Sequence, residues 1–256
     1  MECHTAKTAY VSELAPEELT SFLKEEGYDV RIIRKTDKVY SEVSAHPDIY
    51  MARLGAGSEA TVFHGDTEKL GFRYPENIIY NAAICGRYFI HNMKYTSPEL
   101  LTATRKYIKE NYLSDMVEIH TKQGYTKCNI VVVDETHIIT EDEGIRKAVE
   151  LAMYRERNSI GRGRGEERIK ARDEFDKRRI KVLGITPGHV ALPGFPKGFI
   201  GGASGRVGDT IVFNGDISKH PDYDIINDFI KDAGLGIKYF DYPLTDIGSI
   251  ITEEIL

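Results

Sequence analysis

Residues able to take part in chemistry are concentrated between Lys122 and Ile145, around a single cysteine. Cys128 follows Lys127, and a neighbouring cation favours the reactive thiolate form of a cysteine. Gln123 and the polar residues after it precede a run of three valines, which predicts a strand buried on both faces. Polar side chains at the mouth of a buried strand are typical of a functional site. We therefore take Cys128 as a candidate catalytic nucleophile, and Gln123 and Lys127 as candidate substrate contacts. A buried structural cysteine within a turn is the alternative.

A second candidate pair, His46 and Asp48, lies in the stretch that leads into a predicted strand, residues 49–51. In an extended segment these two side chains face the same side, as an acid–base pair or a substrate clamp requires. A turn stabilised by the aspartate is the alternative. The same His-Pro-Asp triplet recurs at His220, where the pattern that follows predicts a helix capped by this triplet. We take His46 as a catalytic candidate and Asp48 as a substrate contact.

The glycine-rich run GFIGGASGRVG, residues 198–208, contains no nucleotide-binding fingerprint in a strand-helix context. Such a run favours close packing of the backbone, here around the central pore that the repeats described below predict. The histidines show no metal-ligand spacing such as HExxH. The sequence thus predicts neither a cofactor nor a metal.

Composition limits the class of protein. The chain has 256 residues, 41% of them hydrophobic, and a net charge of −6, so it lacks the basic footprint of a nucleic-acid binder. Its three cysteines show no CxxC spacing, which argues against a disulfide framework. No apolar run approaches the roughly 20 residues that span a bilayer, and the first ten residues lack the apolar core of a signal peptide. We expect a soluble cytoplasmic protein with no membrane partner.

The elements that must hold the candidate residues follow a repeating order of strand, strand, helix and strand. The pattern is clearest from Asn77, where NIIYN and YFIHN predict strands and SPE predicts a helix start. Further copies begin at Asn129 and Asp209, and SIIT at Ser249 begins a last copy without a helix. Because the N-terminal segment has a helix but no leading strand, joining the two ends completes one unit. The sequence predicts a single domain, residues 1–256, built as a closed five-unit α/β propeller with one shortened unit.

In such a ring, the polar residues that lead into each unit line a central pore. The five stretches in question are HPD, YPE, TKC, GASGRVG and DIG. Asp246, from the last of them, therefore joins Asp48 as a candidate contact to a ligand in the pore.

A charged, glycine-containing insertion, residues 155–179, interrupts one unit. It predicts a flexible loop followed by a charged helix over residues 166–179. Its arginines could contact RNA or an acidic partner, or close over the pore; a solvated surface excursion is the alternative. We expect so polar a segment to contribute little to the core.

The fivefold layout resembles the guanidino-group-modifying superfamily, the penteins, which includes amidinotransferases, agmatine deiminases and dimethylarginine hydrolases. The stretch QGYTKCNIVVVDETHIITEDEGI is similar to an agmatine deiminase motif in which glutamate stands at the position of Gln123. The resemblance implies that Asp48 holds a guanidinium group. It also implies that His189, in TPGHV, is the catalytic histidine.

The end of the chain departs from the superfamily pattern. The superfamily nucleophile is a cysteine two residues before a threonine, and Ile250 stands at that position here. Strand alternation points the adjacent Ser249 to the other face. The sequence therefore leaves open whether the chain is an enzyme of the amidine hydrolase or amidinotransferase kind.

Two functions remain open from the sequence. The first is binding of a small polar ligand, guanidino or amidine in class, in the central pore, with or without a non-standard hydrolase or transferase activity. The second is a non-catalytic pentein that binds a macromolecule through its face and its charged insertion. Nucleic acid is favoured only through that Arg-rich insertion, and the sequence does not predict an oligomeric state.

Overall fold

The computed structural model describes residues 6–57, 60–112, 114–160 and 166–255. Short strands in these ranges form five small sheets with helices between them. No helix in the described ranges is both long and apolar enough to cross a membrane. The fold is mixed α/β, as predicted.

Each sheet contains two or three strands. The first contains β1 (Ala6–Ser12), β2 (Asp29–Ile33) and β14 (Ile251–Ile255); the second β3 (Met51–Leu54) and β4 (Thr61–His64); the third β5 (Ala83–Cys85), β6 (Tyr88–His91) and β7 (Val117–His120); the fourth β8 (Ile130–Val132), β9 (His137–Thr140) and β10 (Lys181–Gly184); the fifth β11 (Ser204–Val207), β12 (Thr210–Phe213) and β13 (Gly236–Lys238). The helices are α1 (Glu17–Glu25), α2 (Pro47–Tyr50), α3 (Pro98–Tyr112), α4 (Thr126–Asn129), α5 (Glu143–Ser159), α6 (Glu166–Arg178) and α7 (Tyr223–Asp232).

The third sheet illustrates how one repeating unit is built. Strand β5 pairs antiparallel with β6, and β6 pairs parallel with β7 through the crossover helix α3. Helix α3 buries Leu100, Thr104 and Ile108, which recur at helical spacing on one face. Ser97 Oγ accepts the Leu100 N–H at 3.3 Å, which confirms the predicted helix start. The fourth and fifth sheets have the same order of pairings, antiparallel and then parallel. The fifth begins with β11 at Ser204, so the prediction that this unit begins at Asp209 was wrong: the glycine-containing stretch before Asp209 itself forms the first strand.

The two ends of the chain meet in the first sheet. Strand β14 pairs antiparallel with β1, with Thr252 opposite Ala9, so the predicted pairing of the last strand with the N-terminal unit is confirmed. Strand β1 then pairs parallel with β2. Closure of all five units into a propeller stays a prediction.

Two predicted strands were wrong at their starts. The residues around Ile49 form the short helix α2, because Pro47 occupies its first position and favours a helical turn. NIIYN, from Asn77, is a series of turns, and the strand of that unit begins only at Ala83. Each first strand therefore starts later than the apolar pattern suggests, which leaves a short irregular stretch before it.

The insertion is more closely packed than its composition suggests. Its predicted charged helix is confirmed as α6, but the predicted flexible loop was wrong at residues 155–159, which continue α5; residues 161–165 of that loop lie outside the described residues. Phe175 of α6 is 5% exposed and belongs to a hydrophobic cluster with Met153 and Ile180. The expectation that the insertion contributes little to the core was therefore wrong at this position.

This packing predicts that Phe175→Ala lowers the free energy of unfolding by about 3–5 kcal/mol, because it removes a buried aromatic ring and leaves a cavity. Urea denaturation followed by circular dichroism measures the change. Ile169→Ala is the matched control, since Ile169 lies on the same helix and is 63% exposed. Equal and small effects of the two substitutions would show that α6 does not pack on the body in solution.

Candidate functional site

Three buried side chains from distant parts of the chain meet at the centre of the molecule. Asp48 comes from α2, Cys128 from α4, and Ser249 from the residues just before β14. The Cys128 thiol donates to Asp48 Oδ2 at 3.1 Å, and the Ser249 hydroxyl lies 2.7 Å from the same oxygen. All three residues are at most 3% exposed. The stretches HPD, TKC and DIG thus lead to one buried cluster; a central pore lined by all five predicted stretches stays a prediction.

Ser249, and not Ile250, is the residue before β14 whose side chain faces Asp48. Its φ of 74° lies in the left-handed region, which residues other than glycine rarely adopt. This conformation interrupts strand alternation, so that Ser249 points at Asp48 and Ile250 packs in a hydrophobic cluster with Val207 and Val212. The prediction that Ser249 faces away from the centre was wrong for this reason.

Lys127 holds Ser249 from the other side. Its ammonium group donates to Ser249 Oγ at 3.0 Å and lies 3.3 Å from the carbonyl oxygen of Gly201. Asp48 and Lys127 are therefore linked through one hydroxyl group, which donates to the carboxylate and accepts from the ammonium group.

Asn81 is a central residue that the sequence analysis missed. Its amide nitrogen donates to the Asp48 carbonyl oxygen at 3.1 Å and to Cys128 Sγ at 3.3 Å. Its amide oxygen accepts the N–H groups of Lys127 and Cys128. Asn81 precedes β5, so it lies where its unit leads into its first strand. Counting back from Ala83 rather than from Asn77 would have found it.

Asp246 and His46 lie beside this group. Asp246 accepts the N–H groups of Phe199 and Gly248, each at 3.0 Å, and its Oδ1 is 3.8 Å from His46 Nδ1. A Cβ atom on Gly202 would lie 2.0 Å from Asp246 Oδ1. The glycine-rich run thus lets the backbone approach this carboxylate, in agreement with the packing role expected for it.

A cavity of about 160 Å³ opens onto His46, Cys128 and Asp246. Four aromatic rings contribute to its walls, and one lysine lies in its lining. Its remaining lining residues are Tyr40, Val43, Tyr125, Leu192, Phe195, Lys197 and Phe199. The Tyr40 and Tyr125 hydroxyl groups are hydrogen-bonded to each other, and Asn77 donates to Tyr125. The site is thus an aromatic pocket with polar groups at one end.

The remaining sequence candidates lie outside this cavity. Gln123 accepts the Tyr125 N–H at 3.2 Å and donates to Asp142 at 3.3 Å, so it supports a wall residue. His189 is exposed, and its ring packs edge-on against His220 at 5.0 Å. The structure therefore brings together His46, Asp48, Lys127, Cys128 and Asp246, but neither Gln123 nor His189.

A model of a family of unknown function, DUF6873, matches residues 10–156 and 168–251, most of the chain. The chain belongs to this family. No curated protein matches.

Three solved structures are similar to this DUF6873 protein. A mutant of DDAH from Pseudomonas aeruginosa complexed with citrulline is 11% identical, with a TM-score of 0.45, and the similarity covers 97% of this chain and 99% of that chain. A mutant agmatine deiminase from C. jejuni with substrate bound is 10% identical, with a TM-score of 0.45, over 97% and 94% of the two chains. A dimethylarginine dimethylaminohydrolase adduct with 4-chloro-2-hydroxymethylpyridine is 11% identical, with a TM-score of 0.43, over 92% of each chain.

The electrostatics of the DUF6873 site keep the thiol protonated. Burial raises the pKa of Cys128 well above its usual value, and the Asp48 and Asp246 carboxylates raise it further. Burial also raises the pKa of Asp48, and it raises that of Asp246 to about 6. The Lys127 ammonium is directed at Ser249 and at carbonyl oxygens. The hypothesis that Lys127 lowers the pKa of Cys128 is therefore not supported by the geometry.

His46 is neutral in this environment. Burial lowers its pKa, and the nearby Asp48 charge only partly offsets the effect. Its Nε2 atom is buried and has no hydrogen-bond partner among the described residues. This nitrogen is therefore available to a ligand in the cavity that His46 lines.

These pKa shifts predict slow alkylation of Cys128 at pH 7, with a rate that increases as the pH rises toward the raised thiol pKa. Peptide mass spectrometry after timed iodoacetamide treatment measures it, and Cys85 serves as an internal comparison because it is also a buried free cysteine. The third cysteine, Cys3, lies outside the described residues.

Asp48→Asn should accelerate labelling of Cys128, because it removes one of the charges that raise the thiol pKa. Asp37→Asn is the matched control, since Asp37 is exposed and the same charge is removed. Rapid labelling of Cys128 at pH 7 in the unmodified protein would contradict the protonated thiol.

Proposed function

We propose that the protein binds a small organic cation with a planar N–C–N group, guanidinium or amidinium, in the cavity above Cys128. The observation that supports the proposal is the Asp246 carboxylate at the polar end of an aromatic pocket. Asp246 is 2% exposed, and its hydrogen bonds among the described residues come only from backbone N–H groups. A buried carboxylate of this kind gains most from a ligand that brings its own positive charge and N–H donors.

The charge around the pocket favours a cation over a neutral ligand. Asp48 lies directly behind Cys128, and its Oδ1 atom is buried without a partner in the described part of the chain. Two carboxylates therefore act on this end of the pocket; Lys127 is held on the far side of Ser249, and Lys197 in the lining offsets one of the two negative charges. The anchor for a ligand is Asp246, and Asp48 adds negative potential from the second layer.

The walls favour a flat, delocalised cation. Tyr40, Tyr125, Phe195 and Phe199 place aromatic rings around the cavity. A guanidinium or amidinium plane can stack on such rings through cation–π attraction while its edge donates hydrogen bonds to a carboxylate. A compact ammonium group satisfies only the second of these requirements.

Cys128 and His46 support a second, catalytic candidate function. A bound cation would offset the two carboxylates that raise the thiol pKa and would favour the thiolate. Cys128 Sγ would then bond to the central carbon of the ligand, its proton would pass to Asp48 Oδ2, to which the thiol donates, and on to the leaving amine, and His46 Nε2 would be a hydrogen-bond partner for the ligand. Water would release the product by breaking the C–S bond.

Thermal-shift measurements with methylguanidinium and acetamidinium test the binding function. A ligand at 100 times its Kd should stabilise the fold by about 2.7 kcal/mol, which raises Tm by about 5–11 °C for a chain whose Tm moves by about 2–4 °C per kcal/mol. Methylurea, which is planar but neutral, should give no shift. Affinity should increase from pH 5 to pH 7.5, because the pKa of Asp246 is raised to about 6 and only its ionised form attracts the cation.

Asp246→Asn should abolish the shift, and Asp48→Asn should weaken it. Asp241→Asn is the control, since Asp241 is fully exposed five residues away. A shift that is unchanged in Asp246→Asn would rule out this site. Release of ammonia or an amine that depends on Cys128 would establish the catalytic function; its absence, with binding retained, would leave a binding protein.

A further inference from the structure

A second cavity, of about 430 Å³, lies between α5, the last turn of α6 and the start of β10, and it shares no lining residue with the cavity above Cys128. Its lining combines three cationic side chains, one carboxylate and five apolar or aromatic residues. They are Glu150, Met153, Tyr154, Arg157, Phe175, Arg179, Ile180, Lys181 and Val182. We call it the Arg157 groove.

The cations of the groove come from two different elements. Glu150, Met153, Tyr154 and Arg157 recur at helical spacing, so they share one face of α5. Residues 179–182, which lead into β10, form the other part of the lining. An anion in the groove can therefore contact cationic groups from both elements.

The two guanidinium groups are available to a ligand. The exposed side chain of Arg157 has no ion pair or hydrogen bond with another residue in the described ranges. Arg179 Nε lies 3.4 Å from Asp176 Oδ1, and both of these side chains are nearly half exposed. Exposed pairs of this kind contribute little, so a ligand with more than one acceptor can replace Asp176.

Lys181 is held by a partner that does not neutralise its charge. Its ammonium group lies 3.1 Å from His137 Nε2, and an ammonium group can only donate, so this nitrogen is the acceptor and the ring is neutral. The Asp134 carboxylate accepts the proton of His137 Nδ1 at 2.9 Å, which fixes this tautomer. The amino group of Lys181 is thus oriented at the edge of the groove and stays cationic.

The single carboxylate of the groove is already paired. Glu150 accepts a hydrogen bond from Arg146 at 2.7 Å, and Arg146 does not line the groove. Three cations therefore act on the groove with little opposing charge, although the whole chain has a net charge of −6. Such a local excess of positive charge attracts an anionic ligand.

The rest of the lining favours a ligand with a flat apolar body. Met153, Phe175 and Ile180 form a buried floor, and the ring of Tyr154 beside them is 67% exposed. Covering such surface is favourable by roughly 25 cal/mol per Å², and a second aromatic ring gains further by stacking. A bare inorganic anion would use the cations and leave this surface exposed.

We propose that the Arg157 groove binds a small phosphate monoester with an aromatic body, an aryl or nucleoside monophosphate in class. Its phosphate oxygens accept hydrogen bonds from Arg157, Arg179 and Lys181, while its ring covers Tyr154 and the apolar floor. A phosphate monoester has a charge of about −1.5 to −2 at pH 7 and three acceptor oxygens, and its geometry matches the guanidinium fork. This site is independent of the cation site above Cys128.

Isothermal titration calorimetry with three probes separates the two halves of the ligand. Phenyl phosphate carries both the phosphate and the ring, inorganic phosphate only the first, and benzyl alcohol only the second. We expect saturable binding of phenyl phosphate, about tenfold or more tighter than that of either other probe. Raising the ionic strength from about 0.05 M to about 0.5 M should weaken it, because the cations are exposed to solvent.

Two variants assign the binding to this groove. Arg157→Gln should reduce the affinity for phenyl phosphate about tenfold or more, because a charge-assisted hydrogen bond is lost. Arg155→Gln is the matched control, since Arg155 is exposed on the same helix but does not line the groove. Tyr154→Ala should lower the affinity for phenyl phosphate to that of inorganic phosphate. Asp246→Asn should retain the binding, which separates this site from the cavity above Cys128.

Four outcomes would overturn the proposal. The first two are no saturable binding of phenyl phosphate and equal affinities in Arg157→Gln and Arg155→Gln. The third is binding of inorganic phosphate as tightly as phenyl phosphate, which would show only a surface attraction for oxyanions. The fourth is far tighter binding of a single-stranded oligouridylate than of phenyl phosphate, which would make the groove part of an RNA-binding surface. The comparison of probes uses the unmodified protein, so it decides the matter even if a variant does not fold.

Discussion

The centre of the structure depends on one buried carboxylate, Asp48. Its Oδ2 atom accepts hydrogen bonds from Cys128 and Ser249, and Ser249 in turn accepts one from Lys127. Removing a carboxylate and an ammonium group from water costs several kcal/mol each, and only well-made hydrogen bonds repay it. The left-handed backbone conformation of Ser249 costs about 1–3 kcal/mol. It places the hydroxyl group between the carboxylate and the ammonium group, and the two hydrogen bonds formed there offset this cost.

The sequence predicted the members of this centre better than their arrangement. His46, Asp48, Lys127, Cys128 and Asp246 were found because polar residues before apolar strands are recognisable without coordinates. Ser249 was assigned to the wrong face because strand alternation holds only for extended backbone. No local sequence pattern predicts its φ of 74°. Asn81 was missed because the apolar residues of NIIYN have the composition of a strand, although tertiary packing holds this segment in turns.

The same reasoning explains the two candidates that the structure does not bring to the site. His189 was chosen from its resemblance to a motif, and the local order of residues says nothing about the exposed loop that carries it. Gln123 was correctly placed near the mouth of a buried strand, but its side chain is used to hold Tyr125 and Asp142. In the insertion, a single aromatic residue, Phe175, outweighs the polarity of its neighbours because burial of one ring is decided by its position on the helix face.

The charges around the centre are also separated in space, and this separation sets what each side can bind. Arg53 and Arg206 line a small cavity with Lys127, on the side of Ile250, and Arg53 donates to the carbonyl oxygens of Gly55, Ala56, Gly57 and Thr252. Burial and the charge of Arg206 lower the pKa of Arg53 to about 10, which still leaves it cationic at neutral pH. Asp48 and Asp246 lie toward the aromatic cavity, with Lys127 between the two groups. Arg53 directs its hydrogen bonds to carbonyl oxygens, and Lys127 donates to Ser249, so neither cation forms a direct ion pair with Asp48 or Asp246. Lys197 is the one lysine in the lining of that cavity, so under the proposed function a bound cation would add to its partial offset of the two carboxylates.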